Sequence, residues 1–369
     1  MKTPLLFAIL NLALASATFG QGSLTPPPGP PAPTMKTLDQ VEARTIVNAT
    51  NTPGDAANSF IISAPGSYYL TGNLTGEANK HGISIQANDV SLDLNGFALI
   101  NAGDNGRIGV NVPVNQTSFG IRNGSVRGWT GGGVQAANAV TSAEKLRAAD
   151  NGGAGLSVGN GSLIKDCVAS GNHTGFFLAD RSQASNCIST VNLGVGFDGS
   201  SYVNLLDCTA SRNGGHAIVV AGSSSVIRCS ATRSAGSNGI TAGPGCTITD
   251  CTASNNGAQG IQAAAGSTIR NCTTQGNVSN GIYCPEPNCY VVGNTCDSNY
   301  FGIATAGGRI EGNSCTSNQQ GFVCGGLVIR NSARGNVNNW SVSGAVGPIV
   351  DMSAGGTITS ASPWANFTY

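Results

Sequence analysis

Charge is scarce in this chain. Asp, Glu, Lys and Arg make up 10% of its residues, and 18 basic side chains balance 18 acidic ones. A nucleic-acid or anionic-membrane partner leaves a basic excess, so neither is expected. Long apolar runs are missing too: the stretch Leu5 to Ala15 is shorter than the roughly 20 residues that span a bilayer, and no later segment reaches that length, so no transmembrane segment is expected. No window keeps a helical period long enough for a crossover helix. Leucine is absent between Leu206 and Leu327, which rules out a leucine-rich repeat, where each unit needs several. The Cys-x4-Cys pairs, Cys246/Cys251 and Cys284/Cys289, have no nearby His, so no zinc or other metal site is expected.

What is present is a repeat. An apolar residue following Gly or Ala recurs about every 21 residues at Phe176, Phe197, Ile218, Ile240, Ile261, Ile282, Ile303 and Phe322. Cys167, Cys187, Cys208, Cys229, Cys251 and Cys272 run in phase with it. Such self-similarity defines a solenoid, whose units bury their apolar faces only against one another. Within a unit such as Ser267 to Tyr283, short alternating runs (Ile269 in, Arg270 out) are separated by Asn and Gly, the pattern of strands joined by turns. Strands recurring at one phase without hairpins must stack parallel on their own copies. Three per coil, rising about 4.8 Å each turn, satisfy that. Counting the less regular segments before Leu163, about 12 coils are expected.

Polar columns accompany the apolar one. Asp166, Asn186, Asp207, Asp250, Asn271, Asn294 and Asn313 recur just before the Cys position or its equivalent; Asn172, Asn192, Asn213, Asn256, Asn277, Asn299 and Asn318 form a second set. Asn tolerates left-handed turns, and stacked amides bond from coil to coil, so these residues read as scaffold. The six in-register cysteines read as a reduced internal ladder, since cross-linking every stacked pair would strain the bridges. Cys284 and Cys289 flank Pro285-Glu286-Pro287-Asn288, a turn that interrupts the pattern, and are the best disulfide candidates.

The ends depart from the period. Lys2, the Leu5–Ala15 run and Ala15-Ser16-Ala17 have the form of a signal peptide over residues 1–17, so secretion, or a periplasmic or outer-surface location, is expected. Residues 18–36 read as a Pro-rich linker, residues 37–337 as the β-helix domain with an N-terminal cap opened by the capping box Thr37-Leu38-Asp39-Gln40, and residues 338–369 as a C-terminal cap.

With Pro33 to Arg44, Gly66 to Leu74, Asp89 to Phe97 and the terminal Ala365-Asn366-Phe367-Thr368-Tyr369, the chain resembles right-handed parallel β-helix repeat proteins of the pectate-lyase-like superfamily. It is most similar to exported bacterial β-helix proteins without an assigned activity. The resemblance runs from about Gly66 to Arg330, and it implies an all-β fold whose handedness agrees with the general crossover rule. It also implies that any chemistry sits on outward side chains and concerns polysaccharides. The signatures of the enzymes it suggests are poorly represented: Gly215-His216-Ala217 is a faint echo of one hydrolase element, no Asp-Asp pair occurs, and no Asp-Pro-His occurs.

Outward positions beside the aliphatic column hold Phe177, Asp198, Val219, Thr241, Gln262 and Tyr283. His216 lies one coil beyond Asp198, and Arg212 and Arg233 fall on adjacent coils. Asp198 and His216 are the catalytic candidates, because acid–base work on a glycan needs two titratable groups roughly 5–9 Å apart. Arg212, Arg233 and Tyr283 are the carbohydrate-binding candidates, Tyr283 as a sugar-stacking platform. Two functions stay open: a non-enzymatic surface, matrix or carbohydrate-contacting protein that needs no cofactor, and a polysaccharide lyase or glycoside hydrolase with a divergent site, with calcium involved only in the lyase case.

Overall fold

The computed structural model describes residues 42–101, 103, 105–113 and 118–369. The expected signal peptide, the Pro-rich linker and the Thr37–Gln40 capping box lie outside these residues. Among the described residues there is no helix, and hence none long and apolar enough to cross a membrane.

The chain winds as a right-handed parallel β-helix of about 15 turns. One coil shows the plan: strands Thr174–Leu178, Gln183–Ser185 and Ile188–Thr190 follow one another around the axis, and Phe197–Gly199 opens the next coil. The first strand of each coil belongs to a 14-stranded sheet, called the front sheet below, which runs from Asn58–Ile62 to Asn338–Val342. The other two meet in a 28-stranded sheet. Each repeat strand pairs in parallel with its counterpart one coil away, as in Phe176↔Phe197, Ala184↔Leu205 and Ser189↔Ala210. More coils exist than the 12 expected because the period blurs at both ends. In the early coils, strands Ser118–Arg127 and Val140–Ala149 run unbroken through a corner, and Asn338–Val342 and Ala345–Val346 add a further coil after the repeats.

The corner between the two columns of the 28-stranded sheet turns on one left-handed residue: Asp166 (φ 55°), Asn186 (52°), Asp207 (53°), Arg228 (51°), Asp250 (56°) and Asn271 (54°). Asn and Asp enter this region at low cost, so the column is chosen for backbone geometry. Arg228 lacks that advantage and instead holds Asp207 one coil below through two bonds of 2.7 and 2.9 Å. Asn294 and Asn313 do not belong to this column. Gly293 and Gly312 occupy the corner (φ 67° and 65°), and Asn294 stands in the cysteine row, its Oδ1 accepting from the Cys272 amide at 2.8 Å. One residue of drift around the Cys284–Cys289 turn shifts the column. The cysteine row therefore continues as an asparagine row, Asn294, Asn313, Asn331 and Asn366.

Inside, the aliphatic column from Phe176 to Phe322 is fully buried, and Phe176 stacks on Phe197 with centroids 4.8 Å apart. All twelve cysteines are buried free thiols. Cys187 and Cys229, hydrogen-bonded to thiols on both neighbouring coils and desolvated, are held protonated well above the ordinary range.

The second asparagine set forms a buried ladder. Asn277 Nδ2 donates to Asn299 Oδ1 (2.9 Å) and to the Ala253 carbonyl (3.0 Å), while its Oδ1 accepts from the backbone and side-chain amides of Asn256. Each rung leaves no room for a side chain at the residue preceding the aliphatic column. A Cβ placed on Gly196, Gly239 or Gly260 would meet the Nδ2 of Asn213, Asn256 or Asn277 at 2.6, 2.6 and 2.7 Å. Between Gly155 and Gly321 alanine takes this place once, at Ala217, and there the ladder residue is Ser234, whose Oγ is buried without a partner.

At the far end, strand Asn366–Thr368 slips between Ser332–Arg334 and Ile349–Asp351. Trp340 stacks on Phe322 (4.7 Å) and donates from Nε1 to Thr368 Oγ1 at 2.7 Å, closing the C-terminal end of the core.

Candidate functional site

Alternation along the front sheet settles which side chains face out. Strands three residues long read buried–half-buried–buried, so the middle residue projects outward. Register then stacks Gln135, Ser157, Phe177, Asp198, Val219, Thr241, Gln262 and Tyr283 in one row along the axis. At about 4.8 Å per coil these eight residues cover roughly 34 Å.

The row is indented at its lower end. A cleft of about 430 Å³ opens there, floored by Ser157, Phe177 and Asp198 and flanked by Gly131, Gly132, Gly153, Ala154, Gln135 and Thr174. The flanking glycines keep the rim low, which leaves the Phe177 ring and the Asp198 carboxyl accessible together. Burial pushes the Asp198 carboxyl above its ordinary range, and among the described residues it forms no ion pair.

Two coils up, a polar network lies on the same face. His216 Nδ1 accepts from the Asn238 backbone N–H at 3.2 Å and lies 3.3 Å from Thr241 Oγ1. Asn238 Nδ2 donates to Thr241 Oγ1 (3.0 Å) and Gln262 Oε1 (2.9 Å), and Asn238 Oδ1 accepts from the Gln259 N–H. Burial pushes the His216 imidazole below its ordinary range, consistent with a neutral ring whose Nδ1 accepts.

Of the residues singled out from sequence, Asp198, His216 and Tyr283 share this face. Asp198 aligns with Val219 on the next coil, three residues past His216, and forms no hydrogen bond to it. Tyr283 is four coils beyond Asp198. Arg212 and Arg233 sit elsewhere, as exposed left-handed corner residues (φ 54° and 57°) where the coil leaves the 28-stranded sheet. Cys284 and Cys289 are buried neighbours, and the hydrogen bond from Cys284 holds the Cys289 thiol down at about 7. Sequence reasoning missed Asn238, the hub of the network. The signal was available: Asn238 precedes Ile240 as His216 precedes Ile218, so the two stack. Among the described residues no three His, Cys, Asp or Glu side chains converge as a metal site would require.

Parallel coils, a cysteine and asparagine interior, and a variable outward face give this chain the right-handed parallel β-helix fold. The family model described as right handed beta helix region matches residues 193–360. No curated protein matches the chain. Among solved structures it is similar to the A-module of mannuronan C-5 epimerase AlgE6 from Azotobacter vinelandii, at 12% identity and TM-score 0.39, over 82% of this chain and 90% of that one. It is also similar to the Dettilon tailspike protein, at 15% identity and TM-score 0.35 over 78% and 61% of the two chains. A third is pectate lyase Pel9A, at 15% identity and TM-score 0.26 over 78% and 64%. At these identities the likeness is one of fold.

Proposed function

We propose that this protein is an exported, carbohydrate-contacting β-helix that holds a linear polysaccharide along its front sheet without cleaving it. The observation that carries the reading is the cleft that the half-buried Phe177 and Asp198 line side by side. An aromatic ring offers an apolar face to a sugar ring, and a carboxyl, an amide (Gln135) and hydroxyls (Ser157, Thr174) surround it with hydrogen-bonding groups. Beyond the cleft the Asn238 network and Tyr283 extend the polar and aromatic surface along the axis, as an extended polymer requires.

Against turnover stands the separation of roles. A glycosidase needs two carboxyls, or a carboxyl and another titratable group, facing one bond. Asp198 is the one carboxylate lining its cleft, and the Nδ1 of His216 is already engaged by Asn238 and Thr241. The test is incubation of the mature protein with acidic and neutral polysaccharides, with and without calcium. Unchanged polymers with retention on one of them is the expected result. New reducing ends or unsaturated products would establish a lyase or hydrolase in its place. Export is tested separately, by sequencing the N-terminus of protein recovered outside the cytoplasm. Cleavage after Ala17 is expected, and an intact Met1 in that fraction would refute it.

A further inference from the structure

The front sheet differs from the rest of the solenoid in its charge. Its strands are Asn58–Ile62, His81–Ile85, Val110–Asn111, Val134–Ala136, Ala154–Val158, Thr174–Leu178, Phe197–Gly199, Ile218–Val220, Ile240–Ala242, Ile261–Ala263, Asn280–Cys284, Phe301–Thr305, Gln320–Cys324 and Asn338–Val342. Not one contains Lys or Arg, and Asp198 is their one carboxylate. The basic side chains stand on the other sheet or in turns: Arg147, Lys165, Arg270, Arg309 and Arg334 lie on its strands, while Lys80 and Arg107 sit in the turns that lead into early front strands. What the front face offers instead is neutral: the amides of Gln135 and Gln262, the hydroxyls of Ser157, Thr174 and Thr241, and two aromatic rings.

A polyuronate carries a carboxylate on every sugar. Laid along the front strands beyond the Lys80 and Arg107 turns it would meet no Lys or Arg and would set one of its charges beside Asp198, and like-charge juxtaposition without compensation is what rejects a wrong partner. A polycation would find one carboxylate along the whole row, too few to neutralise a charge on each residue. An uncharged polymer loses nothing to either effect, and its hydroxyls match amides and hydroxyls that both donate and accept.

We propose that the ligand of the front sheet is an uncharged polysaccharide, selected against uronate polymers by described strands that carry no Lys or Arg. This rests on reading the face as glycan-contacting, and the experiment separates the two ideas. The full mature chain is run in native gels containing hydroxyethyl cellulose, galactomannan, alginate, polygalacturonate or chitosan at about 0.01 M salt, where charges act over roughly 30 Å. Phe177→Ala and Tyr283→Ala, both outward-facing and checked for folding by circular dichroism, report whether retention uses this face. A Val219→Arg variant places a cation in the middle of the row. The expected result is retention on a neutral polymer at least about tenfold tighter than on either uronate, lost in Phe177→Ala and weakened in Tyr283→Ala. Val219→Arg should gain salt-sensitive retention on alginate. Wild-type retention on a uronate or on chitosan equal to or above that on the neutral polymers, and lost in Phe177→Ala, would overturn the charge inference while leaving the glycan-contacting reading intact. Retention indifferent to Phe177→Ala and Tyr283→Ala, or none on any polymer, would overturn both.

Discussion

The pairing of Ala217 with Ser234 makes a sharp energetic prediction. Around most of the solenoid, glycine lies where a methyl would come within about 3 Å of both a ladder amide nitrogen and a carbonyl of the next coil, closer than Cβ atoms approach other groups. Ser234→Asn alone should therefore drive its Nδ2 into the Ala217 methyl, and overpacking of this kind costs about 1–3 kcal/mol. Ala217→Gly alone removes a buried methyl and loosens the backbone, for about 1 kcal/mol. The double variant restores the arrangement found at Gly196/Asn213 and Gly239/Asn256. It removes the orphaned Ser234 hydroxyl and rebuilds one or two buried hydrogen bonds, each contributing about 0.5–1.5 kcal/mol. It should be no less stable than the natural protein, although the single changes together predict a loss of roughly 2–4 kcal/mol. That difference is the coupling. Urea unfolding of the four proteins, followed by circular dichroism and tryptophan fluorescence, measures it. Additivity within about 0.5 kcal/mol would show that the glycine and the ladder amide do not constrain each other.

Asn277→Ala should cost about 3 kcal/mol, because it strips partners from the Asn256 amides and the Ala253 carbonyl in a dry interior; a loss under 1 kcal/mol in the same unfolding assay would show that water fills the rung. His216 should titrate below 6.5 in NMR spectra of the folded protein. Since its folded value is depressed, the neutral ring contributes stability that is present above about 6.5 and lost as pH falls through the folded midpoint; a midpoint at or above 6.5 refutes this. With oxidised glutathione as acceptor of two electrons and two protons, Cys284 and Cys289 should join while the ladder thiols stay free, because a short turn joins these two, whereas cysteines stacked in a parallel ladder point the same way and would strain a bridge. Alkylation after unfolding, read by mass spectrometry, should show these two alone protected; full alkylation of both would refute the bridge.

The period made the architecture legible: columns of aliphatic, cysteine and asparagine residues at one phase leave stacked parallel coils as the simple way to bury them. It also placed Phe177, Asp198 and Tyr283 on one row, because outward direction follows from alternation alone. What it could not carry was distance within a coil. Arg212 and Arg233 share the period of the front row but stand at a corner, since phase along the repeat does not say how sharply the chain turns between strands. Asn294 and Asn313 fall one place past the corner because the Cys284–Cys289 turn adds a residue within that coil, and Gly293 and Gly312 take the corner. The partners of His216 escaped notice for a related reason, as Asn238 follows it by one coil and is visible only when coils are laid side by side.

Glycine and ladder amide lie 17 positions apart at Gly196/Asn213, Gly239/Asn256 and Gly260/Asn277, inside a single coil of about 21 residues. The mutual constraint is thus inherited as a block. Duplication or loss of a whole coil carries both members together, so lineages can lengthen or shorten the molecule by steps of about 4.8 Å without an intermediate in which one partner is mismatched. The exception at Ala217 and Ser234 fits the same rule: both lie within one coil, and the neighbouring coils keep glycine and asparagine. A solenoid wired in this manner can adjust the reach of its outer surface to a new ligand while its interior stays as it was.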